Sequence, residues 1–194
     1  MKTKAPIRIV LSSLIIILFS SLSSAQDVTH VLNIPEGWQE ERIDFPLSFA
    51  PSINYQGFEE LRFAPGWKDS TSQEFWTYCF IWHIKEGVDF DEKELTLSFK
   101  KYYDGLMGVD DPKRDPPLDP TKCTFKKTDS GFEGEMTVYD NFFRHTYMKL
   151  YVDVNVEECI HHDITIVRCN VSKQAPDHEV WDIFEQVKLQ VECE

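Results

Sequence analysis

The chain has 194 residues, of which 42% are hydrophobic, 13% aromatic and 27% charged, with 33 acidic side chains against 20 basic ones. That mix can bury a core, which excludes disorder of the whole chain. The net charge of −13 excludes general attraction to nucleic acid or to anionic lipid. One domain of ordinary size fits the length, and two would be cramped.

The chain opens with a basic stretch (Lys2, Lys4, Arg8), continues with a short apolar run from Ile9 to Phe19, and then places the small side chains of Ser23 and Ala25 at the usual cleavage positions. This pattern predicts an export signal, residues 1–25, removed after Ala25. The run falls short of the ~20 apolar residues of a membrane helix, and no later stretch approaches that length, so no membrane span is expected once the signal is cut. The mature protein would then be periplasmic or secreted. Losing Lys2, Lys4 and Arg8 takes the 20 basic residues to 17 against 33 acidic ones, a balance of about −16.

Residues 27–56 are rich in turn formers (Pro35, Gly37, Pro46, Pro51) and leave room for one or two short strands. Gly57 to Phe63 reads as a strand that stops at Ala64-Pro65-Gly66. Phe75 to Ile84 is the most apolar segment, with Trp76, Tyr78, Phe80, Trp82 and Ile84 on one face and Phe75, Cys79 and Ile81 on the other. Apolar residues on both faces predict a central strand covered on each side.

A helix follows over residues 91–107. Asp91 is its cap, Glu94 completes a variant of the capping box, and Leu95, Phe99, Tyr102 and Leu106 form the buried stripe. Gly108 is a suitable stop and Gly105 a weak point. Residues 109–121 hold four prolines among aspartates and can only be a surface loop. Alternation over 132–139, 147–156 and 163–171 predicts a half-buried antiparallel meander. A last helix follows Pro176, with Val180, Phe184 and Val187 on one face. The order of elements predicts a single α+β domain over 26–194: a mostly antiparallel central sheet of about 6–7 strands with two packed helices.

Five cysteines (Cys79, Cys123, Cys159, Cys169, Cys193) in an exported chain suggest at least one disulfide and, being odd in number, at least one thiol left over or bonded between chains. Cys79 reads as a buried small hydrophobe. A hairpin turning at Cys159-Ile-His-His162 would set Cys159 opposite residues 163–165, not opposite Cys169. No Cys-x-x-Cys occurs, so neither a thioredoxin-type site nor a zinc ribbon is supported.

Ile34-Pro-Glu-Gly-Trp38 near the mature start and Val180-Trp-Asp-Ile-Phe184 after the meander resemble PsbP-like proteins, the photosystem II extrinsic family and its bacterial relatives. The resemblance spans most of residues 30–190. It implies an α/β/α sandwich with a binding or assembly role and no shared catalytic residues. The run Phe58-Glu-Glu-Leu-Arg-Phe-Ala-Pro-Gly-Trp67 has the look of a family signature without a function attached to it.

Among constellations that carry chemistry, His161, His162 and Asp163 offer two imidazoles and a carboxylate to a divalent metal, with His83 or His145 as a further ligand. A polar hairpin turn explains the same residues. His83 lies on the strand face of Cys79 and Ile81, where it is a half-buried, hydrogen-bonded histidine or a ligand-binding group. Glu59 and Glu60 are neighbours on a strand, so they face opposite ways and cannot flank one glycosidic bond. The aromatic row of Trp76, Tyr78, Phe80 and Trp82 could stack on a sugar, but its spacing is that of a core strand. The Asp-rich loop lacks the spacing of a calcium loop. No nucleophile elbow, phosphate loop or dinucleotide fingerprint occurs, and Asn170-Val171-Ser172 is a glycosylation sequon.

The residues therefore point first to an exported, noncatalytic binding or accessory protein whose partner is another protein or a small molecule, with no cofactor. The alternatives are a metal-assisted hydrolase or carbohydrate-active enzyme built on His161, His162 and Asp163, and a structural envelope protein.

Overall fold

A computed structural model describes residues 30–85, 87–159 and 162–191; the export signal lies outside the described residues. They form one antiparallel sheet in the order β1-β2-β3-β7-β6-β5-β4. Its strands are β1 (Gln39–Asp44), β2 (Gln56–Phe63), β3 (Tyr78–Lys85), β4 (Lys122–Lys127), β5 (Phe132–Tyr139), β6 (Tyr147–Cys159) and β7 (Ile164–Ser172). One helix, α1 (Glu92–Met107), covers one face. The segment around Val31 and Leu32 and a C-terminal 3₁₀ helix (Glu179–Gln186) cover part of the other. This is the expected single-domain α+β fold.

Helix α1 forms as its sequence directs. The Asp91 carboxylate accepts from the Glu94 amide at 2.7 Å, and Gly108 takes the left-handed conformation that ends the helix. The Glu94 carboxylate accepts from the Tyr55 hydroxyl at 3.0 Å, tying the helix to the approach to β2. Leu95, Phe99 and Tyr102 are buried, as the stripe requires, and Tyr103 and Met107 widen it. Gly105 is where the loop between β1 and β2 crosses the helix: a Cβ there would stand 2.0 Å from the Phe49 carbonyl oxygen.

Three expectations are corrected. β3 begins at Tyr78, not Phe75, because Trp76 adopts a φ of 57° and the Thr77 amide turns back to the Glu74 carbonyl. Phe75 and Trp76 therefore both pack on the α1 side, and Phe75 leaves the Cys79 face. β4 was not anticipated. Only Cys123 and Phe125 supply its apolar alternation, and Lys122, Lys126 and Lys127 mark it as a charged sheet edge. The last helix is 3₁₀, with i to i+3 bonds such as Val187 to Phe184; the Arg168 guanidinium draws on the Phe184 and Val187 carbonyls at 3.1 and 3.0 Å.

In the β6–β7 hairpin Cys159 stands opposite Ile164 and Cys169 opposite Val154, which keeps the two sulfurs apart. Cys159 belongs to a disulfide whose partner lies outside the described residues. Cys79, Cys123 and Cys169 are free. Cys79 is fully buried, and burial pushes its thiol up to about 11, consistent with a packing role.

The face opposite α1 is organised by charge. The buried Glu60 carboxylate accepts from the Val31 and Leu32 amides at 3.1 and 3.2 Å and pairs with Arg62. Arg62 also donates to the Asn33 carbonyl at 2.8 Å. Arg62→Leu would leave Glu60 buried without its main partner, and is expected to cost about 3–5 kcal/mol in urea unfolding. Gly105→Ala gains helix propensity, yet it should lower stability by roughly 2 kcal/mol through the Phe49 clash. A stabilised Gly105→Ala protein would show that the crossing loop yields.

Candidate functional site

A cleft of about 700 Å³ opens on the α1 side of the sheet near its β1–β2 edge. Phe63, Trp67, Trp76, Phe142 and Phe143 form its walls, and the buried Leu61, Tyr78 and Tyr102 its floor. Exposed Glu41 and Ser48 lie at its mouth.

Two loops present these rings, and local hydrogen bonds hold both. In the β2–β3 connection the Gly66 amide donates to the Glu74 carboxylate at 2.6 Å and the Trp76 amide to the Trp67 carbonyl at 2.8 Å. A Cβ on Gly66 would meet Ser72 Oγ at 2.3 Å and displace that side chain. In the β5–β6 hairpin the buried Asp140 carboxylate accepts from the amides of Phe142, Phe143 and Arg144 at 3.1, 3.0 and 2.9 Å. Phe143 meets two of these rings at steep angles, Trp67 at 5.3 Å and 79° and Trp76 at 5.8 Å and 77°, while Phe142 stacks on Trp76 at 6.0 Å and 25°. The walls thus combine two corners at Phe143 with a stacked pair at Trp76 and Phe142. Trp76 Nε1 is buried with no acceptor among the described residues.

Two positions from Leu61 on the same face of β2 lies Glu59, fully buried, opposite Trp82 in the β2–β3 register. Trp82 Nε1 donates to its Oε1 at 3.1 Å, and Oε2 has no partner among the described residues. Burial pushes its carboxyl up to about 8, with the Glu41 charge adding to the rise and the Tyr102 and Trp82 hydrogen bonds opposing it. The group is therefore largely neutral near pH 7. Burial also raises the Tyr102 phenol, aided by the charges of Glu59 and Tyr78, while the Tyr78 and Tyr103 hydroxyls bond to each other. The result is a polar layer under an aromatic cleft.

The structure disperses the site residues read from the sequence. His83 is half-buried on the opposite face, stacked on Phe58 at 4.6 Å and 10°, with the Arg42 guanidinium carbon 3.4 Å over the other side of that ring. His83 is half-buried as expected, burial lowers its basicity, and its Nδ1 has no partner among the described residues. His162 and Asp163 are exposed in the β6–β7 turn, and His161 lies outside the described residues. His145 sits at the far end of β6, about 40 Å from that turn along a 13-residue strand, and cannot join them. Among the described residues no group of three or more His, Cys, Asp or Glu could hold a metal ion. Glu59 and Glu60 face opposite ways, as alternation requires. In the aromatic row Phe80 and Trp82 are core, whereas Trp76 and Tyr78 border the cleft. Asn170 lies on the inner strand β7 and donates to Asp153.

Sequence reasoning missed Trp67, Phe142, Phe143 and Glu41 as parts of one site. The available signal was large aromatic residues in turns, where strand alternation gives them no core to enter. A second depression, about 460 Å³ on β4, β5 and β6, is lined by charges already paired, such as Lys126 with Glu133 at 2.9 Å.

Glu59 leaves a signature in stability. Between its ordinary 4.5 and its raised value of about 8, the folded chain keeps a proton that the unfolded chain releases. Its contribution therefore falls as pH rises through that window, on the order of 1 kcal/mol per pH unit, and levels off above it. Glu59→Gln removes this slope, so urea unfolding at pH 5 and pH 8 should differ less in the variant than in the unmodified protein. Equal differences in both would place the Glu59 titration near its ordinary value. No family model, curated protein or solved structure matches this chain, and its function is argued from the cleft.

Proposed function

We propose that this is an exported, noncatalytic binding or accessory protein whose small-molecule ligand lies in the aromatic cleft. The cleft carries the proposal: its 700 Å³ falls within the 300–1,000 Å³ of ordinary ligand sites, and its apolar walls with few polar groups have the composition of such sites. Trp76 supports the same reading, because a bulky residue at positive φ costs backbone strain of a kind that collects at functional sites. The basic and apolar start of the chain supports export. The binding role implied by the PsbP-like resemblance agrees.

The test uses N-phenyl-1-naphthylamine, a neutral apolar dye that brightens out of water. The dye should bind saturably with one site per chain. Ser48→Trp, which places an indole at the mouth from an exposed position, should weaken it by about tenfold. The unfolding midpoint should stay near that of the unmodified protein. Dye that does not saturate, or that ignores Ser48→Trp, overturns the proposal.

A further inference from the structure

The cleft is one-sided in charge as well as aromatic in lining. Eight of its thirteen lining residues are aromatic, and Glu41 supplies the formal charge; no lysine, arginine or histidine among the described residues lines it. Aromatic faces carry negative potential, and two or more rings set at steep angles surround a cation more effectively than a flat stack does. The Trp67–Phe143 and Trp76–Phe143 pairs have that arrangement. Register places Glu41 opposite Leu61, on the cleft side of β1 and next to the strand of Glu59. Its negative charge already reaches inward, since it disfavours ionisation of both Glu59 and Tyr102. An anionic ligand would meet that charge and the ring faces together. A neutral ligand would use the walls and leave the Glu41 field unused.

We propose that the cleft takes an organic cation, an alkylated or primary ammonium on an apolar or ring-bearing body, with its charge held between the ring faces and the Glu41 carboxylate. This rests on the reading of the cleft as a ligand site. Glu41 stays hydrated enough at the mouth to pair without a large desolvation cost, and Leu61 and Leu106 add apolar lining for the body of the ligand. The acidic chain, at −13, draws cations toward it from solution.

The probe pair is benzyltrimethylammonium and neopentylbenzene, which share a shape and differ by one positive charge. Each is titrated against N-phenyl-1-naphthylamine bound to the full-length mature protein. The cation should displace the dye at a concentration about tenfold lower than the hydrocarbon does. Glu41→Gln, at an exposed position with no role in the core, should bring that ratio close to one. Trp67→Leu should lower the ratio through loss of a ring face. If the hydrocarbon displaces the dye as well as the cation does in the unmodified protein, the cation proposal fails and the cleft remains a ligand site. A ratio unchanged by Glu41→Gln also overturns it. If the dye itself finds no saturable site, the underlying reading fails with it.

Discussion

The structure depends on how β2 places its charges. Alternation sends Glu60 and Arg62 to the face opposite α1 and Glu59 to the α1 face. Register with β1 then sets Arg42 across from Glu60 and Glu40 across from Arg62, at 3.8 and 4.0 Å. Burying Glu60 and Arg62 fully would be costly for either alone. Together they satisfy each other and the backbone of residues 31–33. The start of the described chain is thus fastened across the sheet, where Leu32 meets Leu189 in an isolated bridge. That face closes over Cys79, Ile81 and Ile166 by electrostatics and apolar packing together.

The other face uses its buried carboxyl differently. Glu59 has an indole donor and a neighbouring phenol but no cation beside it, and burial raises its carboxyl, whereas Glu60 is in contact with the Arg62 guanidinium. Neighbouring residues of one type meet different partners because period-2 geometry delivers them to different environments. The neutral layer of Glu59, Tyr102 and the Tyr78–Tyr103 pair then underlies an aromatic cleft without filling it with charge. The rings come from connections, and the sheet and α1 serve as the rigid frame, an arrangement common to binding sites built on loops. Backbone amides donating to the Glu74 and Asp140 carboxylates keep those loops in place.

How much was legible follows from the range of each signal. The cap and stop of α1, the limits of β2 and β5 and the placing of Glu59 and Glu60 on opposite faces are local effects, and they were read from neighbouring residues. The β6–β7 register, with Cys159 opposite Ile164, followed from the turn. β4 escaped because an edge strand buries little and its lysines mask the alternation. Phe75 was misplaced because alternation assumes an unbroken strand, and the positive φ of Trp76 breaks it. The histidine cluster drew attention because its residue types suit metals, yet His145 lies at the far end of β6 and His83 is committed to Phe58.

The sequence by itself determined the α+β class, the helix with its caps, most strands and the faces of their side chains, because each depends on residues a few positions apart and on backbone periodicity. Tertiary structure alone decided the cleft. Its walls come from residues 63 to 143, joined only when β2, α1 and the β5–β6 turn meet. The raised carboxyl of Glu59 was also decided there, because a carboxyl's protonation depends on what is packed against it and not on its neighbours along the chain.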